Sequence, residues 1–417
     1  ATSVAAKALK SRLWLYAASP LFNGNSEYYA NFVSKVDGRH LISQTYSEAK
    51  WEKAASAAEE AIEVAKAADY KLYTESPVAT SRFAQPTDPV HRVLRLNFMD
   101  YNTSKEVLWA DTRKEGHYGL QYKSTPYRVG PSSGNGVGVT LTMVEMFYSK
   151  NGLPIDLDPE YDYTGRYRYG EYHNDVCDGV TMNLNINREP RFYANIHFPN
   201  QRVSYAYPNE GDSYQDSDGY GIVDYWYKGL SGNGSTPGDK NTTGFSVRKG
   251  LPLNYCSSKE KAKDTWNLNV PFPIIRLGEV YLNYAEALNE YYGESRQDEV
   301  LEYLNAIRER AGIPGYEDSY SQEEMREMIR HERKIELCYE CQRFFDVRRW
   351  FIAHGPNGAF NHNEYGLDMS KGENATDKEF FSMTEAAIKR FDIKHYLMPI
   401  KASECELNTE LVQAPFY

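Results

Sequence analysis

The sequence predicts a mostly helical fold that carries a large irregular lobe. Three observations predict it. Apolar residues recur at helical spacing near the start of the 417-residue chain and again after Pro273. Between about Glu75 and Asn269 the text turns to Gly, Pro, Asn, Asp and Tyr, with only short strand-like runs. Hydrophobic residues make up 41% and charged residues 25%, a composition that folds. The reading is one domain over 1–417, with a helical scaffold from 1–74 and 270–354 and an irregular lobe from 75–269 and 355–417.

The first helix is placed at Ser3–Ala18, with Ala5, Leu9, Leu13 and Tyr16 as its stripe and Pro20 beyond its end. The chain opens on Ala1 without an initiator Met or signal peptide, and so reads as a mature or truncated product. A second helix is placed at Ser47–Ala68. Trp51, Ala55, Ala58, Ile62 and Ala65 share one face, and Thr45 with Glu48 has capping-box spacing. A third begins near Pro273, with Leu277, Tyr281, Ala285 and Leu288 on one side and Glu279, Asn283, Glu286 and Glu290 on the other. After Gly293 a partner starts at Ser295, carries Val300, Leu304, Ile307 and Ala311, and ends at Gly312 and Pro314. Ser321 and Glu324 cap a longer helix reaching Phe351. In the lobe, strands are placed at Val90–Leu96, Val107–Ala110, Phe192–Phe198, Val203–Tyr207 and Phe245–Arg248. Short helices are placed at Thr142–Ser149 and Thr384–Arg390, and Ser231–Gly244 reads as a mobile loop.

Charge and motifs narrow the function. With 47 Lys and Arg against 58 Asp and Glu, the chain is acidic at −11 and has no basic run, which argues against nucleic acid. No stretch approaches the roughly 18–20 apolar residues of a membrane helix. Five cysteines are too few and too scattered for a disulfide framework; Cys338 and Cys341 form a C-x-x-C inside helical text, where packing is the simpler role. No zinc-protease helix, P-loop, dinucleotide fingerprint or nucleophile elbow is present. Asp212, Asp216 and Asp218 form an oxygen-rich stretch that could hold calcium, without EF-hand spacing. The charges of the Ser321–Phe351 segment, Glu332, Arg333 and Glu336 among them, read as ion pairs between helices ahead of a catalytic cluster.

The outstanding feature is tyrosine: 35 Tyr stand against 17 Phe and 6 Trp. They crowd between Tyr161 and Tyr227 among Asn, Asp, Arg and Gly. A flat ring with a polar tip suits a sugar, which has an apolar C–H face and a rim of hydroxyls. Most of these rings are expected to pack the lobe. Tyr225, Trp226 and Tyr227 are the candidates for stacking, with Tyr214, Tyr220, Trp109, Tyr118 and Tyr122 behind them.

Several segments resemble the SusD/RagB family of Bacteroidetes surface nutrient-binding lipoproteins. They are Leu15–Gly24, Asn187–Phe192, Phe272–Ala287, Leu304–Ile313, Arg330–Trp350 and Tyr396–Ile400 with Leu411, Val412 and Gln413. The resemblance implies a tetratricopeptide-like scaffold, a ligand-binding lobe and no catalysis. It implies an outer-membrane position, a lipid anchor outside this chain and a SusC-type TonB-dependent transporter as partner. The family has no fixed ligand motif, so no binding residue carries over. The leading reading is capture of a neutral oligosaccharide. Peptide capture, a glycoside hydrolase with paired carboxylates and a pure interaction scaffold are the alternatives.

Overall fold

The computed structural model describes residues 2–76, 88–97, 104–113, 123, 124, 126, 135–203, 221–229, 231–234, 240–251 and 271–417. Helix α1 (Ser3–Ala18) starts where the Thr2 side chain accepts the Ala5 N–H at 3.2 Å. It buries Val4, Ala5, Ala8, Ser11, Leu15 and Ala18; of the predicted stripe Ala5 is buried, Leu9 and Tyr16 pack part-buried on the core, and Leu13 is 61% exposed. The inward face is centred on the smaller residues, and Ala8 and Ser11 let α1 lie close to its neighbour α3. After a single turn, α2 (Ser26–Tyr29), helix α3 (Ala49–Ala67) buries Trp51 and an alanine ridge of Ala54, Ala58, Ala61 and Ala65. The Thr45–Glu48 capping box does not form: Glu48 is itself the N-cap, with helical dihedrals and no side-chain bond.

Residues 90–96 form a helix, not the predicted strand. Helix α4 (Pro89–Leu96) has Pro at its first position, and Asp88 caps it by accepting the His91 N–H at 2.7 Å. Strand β1 (Val107–Asp111) follows, then α5 (Leu141–Met146), shorter than predicted and N-capped by Thr140 instead of Thr142. Strands β2 (Tyr169–His173) and β3 (Asp178–Met182) form a hairpin. The predicted strand over 192–198 divides into helix α6 (Pro190–Asn195) and strand β4 (Ile196–His197). Two-residue strands β5 (Arg202–Val203), β6 (Gly221–Ile222) and β7 (Ser246–Val247) make two small ladders, β5 with β6 and β4 with β7. The Val203–Tyr207 reading lies beyond Val203 outside the described residues. Within 231–244, Ser231, Asn241 and Thr243 are buried, so these positions are not a free loop.

Residues 272–276 are a strand, β8 (Phe272–Arg276), antiparallel to β1, with Trp109 opposite Ile275. The β8–β1 ribbon is two-stranded, so the missing N–H of Pro273 is tolerated. Helix α7 (Leu277–Tyr292) then packs on α1, α3, α8 (Gln297–Arg310) and α9 (Gln322–Glu336). Its predicted polar face is buried too: Glu279, Asn283 and Glu286 are each 3% exposed or less. Ser321 and Glu324 form the predicted capping box of α9. That helix stops at Glu336 instead of running to Phe351. The Glu336 carbonyl accepts from Arg276 and Lys249 at 2.8 Å each, which satisfies the open helix end. Tyr339 and Cys341 take positive φ of 61° and 63° and turn the chain into α10 (Gln342–Arg349). Residues 383–388 form strand β10 (Met383–Ile388), paired with β9 (Asn363–Leu367), where a short helix was predicted. A short α11 (Ala402–Leu407) precedes the C-terminal residues.

Two principal cores result. One is helical, built from Leu15, Trp51, Ala58, Leu277, Tyr284, Leu304 and Ile329. The other, in the lobe, is aromatic, built from Phe147, Phe192, Phe198, Tyr225, Phe245 and Phe380. A smaller cluster joins Leu21, Tyr29, Val347, Phe391 and Tyr396.

Candidate ligand-binding site

The charged segment of α9 and α10 is engaged in structure. Arg191 meets Glu189, Glu332 and Glu336; Arg276 meets Glu106, Glu336 and Glu340; Arg310 meets Glu106 and Glu336. All these side chains are almost wholly buried. Burial alone would raise the Glu336 carboxyl; Arg310, Arg276, Arg191 and Lys249 outweigh it and hold it well below the usual carboxylate range. Every charge here has a countercharge, and the cluster lies between helix and lobe elements. It is an ion-pair network, as the sequence reading preferred. Cys338 is buried and unpaired, and burial pushes its thiol up to about 11, away from nucleophilic use. Cys341 is exposed in its left-handed turn, not packed in a helix, and it too is unpaired.

The aromatic triplet follows β6 on a turn built by glycine. The Gly229 N–H donates to the Trp226 carbonyl at 2.7 Å, and the Gly234 N–H to the Tyr227 carbonyl at 2.8 Å. A Cβ on Gly232 would stand 1.8 Å from the Trp226 carbonyl oxygen, so only glycine fits there. From the other side the Tyr227 N–H donates to the Lys371 carbonyl at 2.9 Å, and Lys228 pairs with Glu373 at 2.5 Å. Gly372, at φ +93°, lies against Trp226; a Cβ there would come within 2.9 Å of the Trp226 Cβ. The segments around 229–234 and 371–373 therefore clamp the turn. Trp226 is half-buried against the lobe core, and Tyr227 is 39% exposed. The arrangement presents two aromatic side chains on a fixed backbone, which lowers the entropy cost of stacking on a flat ligand.

Tyr225 does not join them. It is fully buried, and its hydroxyl bonds the Ser246 hydroxyl at 2.5 Å on β7. Tyr225 precedes the turn and the lobe core claims it, while Trp226 and Tyr227 sit on the turn itself. Trp109 is 42% exposed but sits on the β1–β8 ribbon, whose Leu108 and Ile275 belong to the helical core. Among the described residues no ring contact joins it to Trp226 or Tyr227. Tyr214, Tyr220, Tyr118 and Tyr122 lie outside the described residues, as do Asp212, Asp216 and Asp218. Among the described residues no group of three or more His, Cys, Asp or Glu could hold a metal ion.

Among the described residues, most other tyrosines of the crowded stretch pack the lobe. Tyr169 stacks on Phe381 at 5.3 Å, and the hydroxyls of Tyr161 and Tyr172 donate to Leu184 and Asn183. The sequence reading missed a small assembly here. Arg166 lies over the rings of Tyr163 and Tyr167 at 3.8 and 4.2 Å and bonds Glu145 at 2.7 Å. Tyr163 is 36% exposed. The spacing Tyr163, Arg166, Tyr167 was the available signal.

Comparison with known proteins decides the family. The SusD family model matches residues 105–417. The chain belongs to the SusD family. A SusD-like protein, P2, from Formosa agariphila is 38% identical over 94 residues, which take in 20% of this chain and 18% of that protein. The solved structure of BT4246 superposes with a TM-score of 0.78 at 27% identity, covering all of this chain and 71% of the other. A SusD-like protein from Bacteroides fragilis, BF3747, gives 0.68 at 23% identity and is covered over 65% of its length. The SusD-like chain thus spans 71% and 65% of these solved relatives, and its helical scaffold is theirs. Among the described residues no helix is long and apolar enough to cross a membrane.

Proposed function

We propose that this SusD-like chain captures a neutral oligosaccharide at the cell surface, stacks it on Trp226 and Tyr227, and passes it to a SusC-type outer-membrane transporter. The observation that carries the reading is the clamped turn that holds Trp226 and Tyr227 at the lobe surface. Family membership supports a binding role over catalysis and an outer-membrane position reached through a lipid anchor. One protein of this fold is described as holding a xylogluco-oligosaccharide; at 16% identity and a TM-score of 0.50 that likeness is one of fold. The net charge of −11 favours neutral glycans over polyanionic ones.

Calorimetric titration with neutral oligosaccharides and with peptides tests it. Wild type is expected to bind a saccharide without hydrolysing it. Trp226→Ala and Tyr227→Ala are each expected to lose about tenfold in affinity, or about 1.4 kcal/mol. Tyr225→Phe should bind as wild type, because its ring faces the core. Binding of peptides alone would point to peptide capture, turnover to a hydrolase, and saccharide affinity indifferent to both alanine variants to another surface.

A further inference from the structure

A second concavity lies in the helical scaffold, where the chain leaves α1 and turns through α2. Its volume is about 660 Å3, inside the range of about 300–1,000 Å3 common for small-molecule pockets. Its wall is built, not incidental. The Asn23 amide donates to the Ala18 and Ser47 carbonyls at 3.1 Å each and accepts the Ser47 N–H at 2.9 Å. Gly24, at φ +88°, packs so tightly that a Cβ would sit 2.6 Å from the Tyr46 nitrogen. The N–H groups of Gly24 and Asn25 both donate to the Ser43 carbonyl at 3.1 Å. The loop that presents Asn25 is therefore fixed before any ligand arrives.

The polar groups in this cavity divide into two kinds. The charges of its inner wall are already answered: Arg326 forks onto Glu290 at 2.5 and 2.8 Å, and Glu286 is held by Arg349 and by the Trp350 indole N–H at 2.7 Å. An anionic ligand would meet no free cation there, because Arg326 and Arg330 are paired with Glu290, Glu323 and Glu327; among the described residues the exposed Glu27 at the rim is the lining carboxylate without a cation. The buried uncommitted group is neutral. Asn25 is only 8% exposed and lines the cavity, yet its side-chain amide has no hydrogen-bond partner among the described residues. Tyr46 also lines the cavity, with a hydroxyl that can donate and a ring 58% exposed at the mouth. An amide with two donors and an acceptor, a hydroxyl donor and an exposed ring match vicinal hydroxyls on an apolar sugar face.

We propose that this cavity is a second saccharide site, which takes a short neutral oligosaccharide through Asn25 and Tyr46. It stands on its own geometry: its walls belong to α1, α3, α7 and α9, whereas Trp226 packs into the lobe core. The site does not depend on the lobe reading.

The test uses the Trp226→Ala/Tyr227→Ala double variant of the full chain and neutral malto-, cello-, xylo- and manno-oligosaccharides of three to six units. Titration by calorimetry is expected to show residual saccharide binding of about one equivalent. Adding Asn25→Ala should weaken that residual binding about tenfold, and adding Tyr46→Ala should weaken it further, with the melting temperature of each checked against the double variant. Asn25 makes no side-chain bond to the protein, so Asn25→Ala should leave the fold intact. No binding to any member up to about 10 mM would overturn the proposal. So would residual binding indifferent to Asn25→Ala and Tyr46→Ala, or competition by an amine or carboxylate ligand instead of a sugar. If wild-type affinity is untouched by the lobe variant but falls with Asn25→Ala, the lobe reading fails and this one holds.

Discussion

Arg276 and Arg188 are both almost wholly buried, at 1% and 2% exposure, yet they answer different needs. Arg276 lies at the edge of the helical core and meets carboxylates: Glu106, Glu336 and Glu340. Arg188 lies in the lobe and meets carbonyls. Its guanidinium donates to the backbone oxygens of Leu184 and Val144 at 2.8 Å each, and of Phe147 at 2.5 Å. Arg95 does the same with Ala194, Arg248 and Leu251. Helices satisfy their own backbone, so buried charge there can be spent on joining elements. In the lobe the strands are often two residues long, and side chains must satisfy the peptide groups that no ladder reaches.

Removing the hub of the first arrangement should cost most. Glu336 faces Arg191, Arg276 and Arg310 at once. Glu336→Ala leaves three buried guanidiniums short of countercharge, and about 3–5 kcal/mol of stability should disappear. Urea unfolding measures it. A loss under about 1 kcal/mol would mean that Glu106, Glu332 and Glu340 suffice, and that the network has no hub.

The lobe arrangement should break more gently. Arg188→Met keeps most of the stem's packing and removes a buried charge, but strands several carbonyls. A loss of about 2–3 kcal/mol is expected. The Trp226 turn, which is clamped by glycines and backbone bonds, should keep its ligand affinity. If affinity falls together with stability, the lobe core and the binding turn are one unit, and the division drawn between them is wrong.

This difference also explains what could be read in advance. Where backbone bonding is local, periodicity placed the elements: α1 to the residue, α3 within two residues of each end, and the Ser321 capping box of α9. It failed where a distant partner decides. Phe272–Arg276 is a strand because β1 lies beside it, and Met383–Ile388 because β9 does. The α9 break at Glu336 was hidden because Arg276 and Lys249, far away in sequence, cap its end. The short helix α4 was legible and misread: Asp88-Pro89 is a helix-start signal that outweighs the β-branched Val90 and Val93. At the site, composition pointed to the Tyr225–Tyr227 segment. It could not say which of three adjacent rings faces the core; the Tyr225–Ser246 bond decides that across 21 residues. Asn25 had no signal of its own, because its significance lies in a partner it lacks.

Acid separates two groups of buried side chains by pH range. His91 lies on α4, its Nε2 cut off from solvent. Burial first, then the cations Arg248 and Arg95, push its pKa from 6.5 down to about 3. Above about 6.5 the imidazole is neutral in both folded and unfolded chains and contributes no pH dependence. As pH falls below that, the unfolded chain takes a proton that the fold refuses. Stability should then decline by up to about 1.4 kcal/mol per pH unit towards the folded value. His331, buried against the Met146 carbonyl and also lowered by burial, adds in the same direction. The carboxylate Glu336 behaves differently, since its stabilisation persists until pH falls below its unfolded value of 4.5. Between pH 6.5 and 5, therefore, the loss should come from the buried histidines, His91 of the lobe and His331 of α9, and not from the ion network. Urea midpoints at pH 7 and pH 5 test this: His91→Gln should lose less stability on acidification than wild type, by up to about 1.4 kcal/mol per pH unit. Equal losses in the two proteins would place the acid-sensitive group elsewhere, and the carbonyl-bonded lobe would not be the first region to yield.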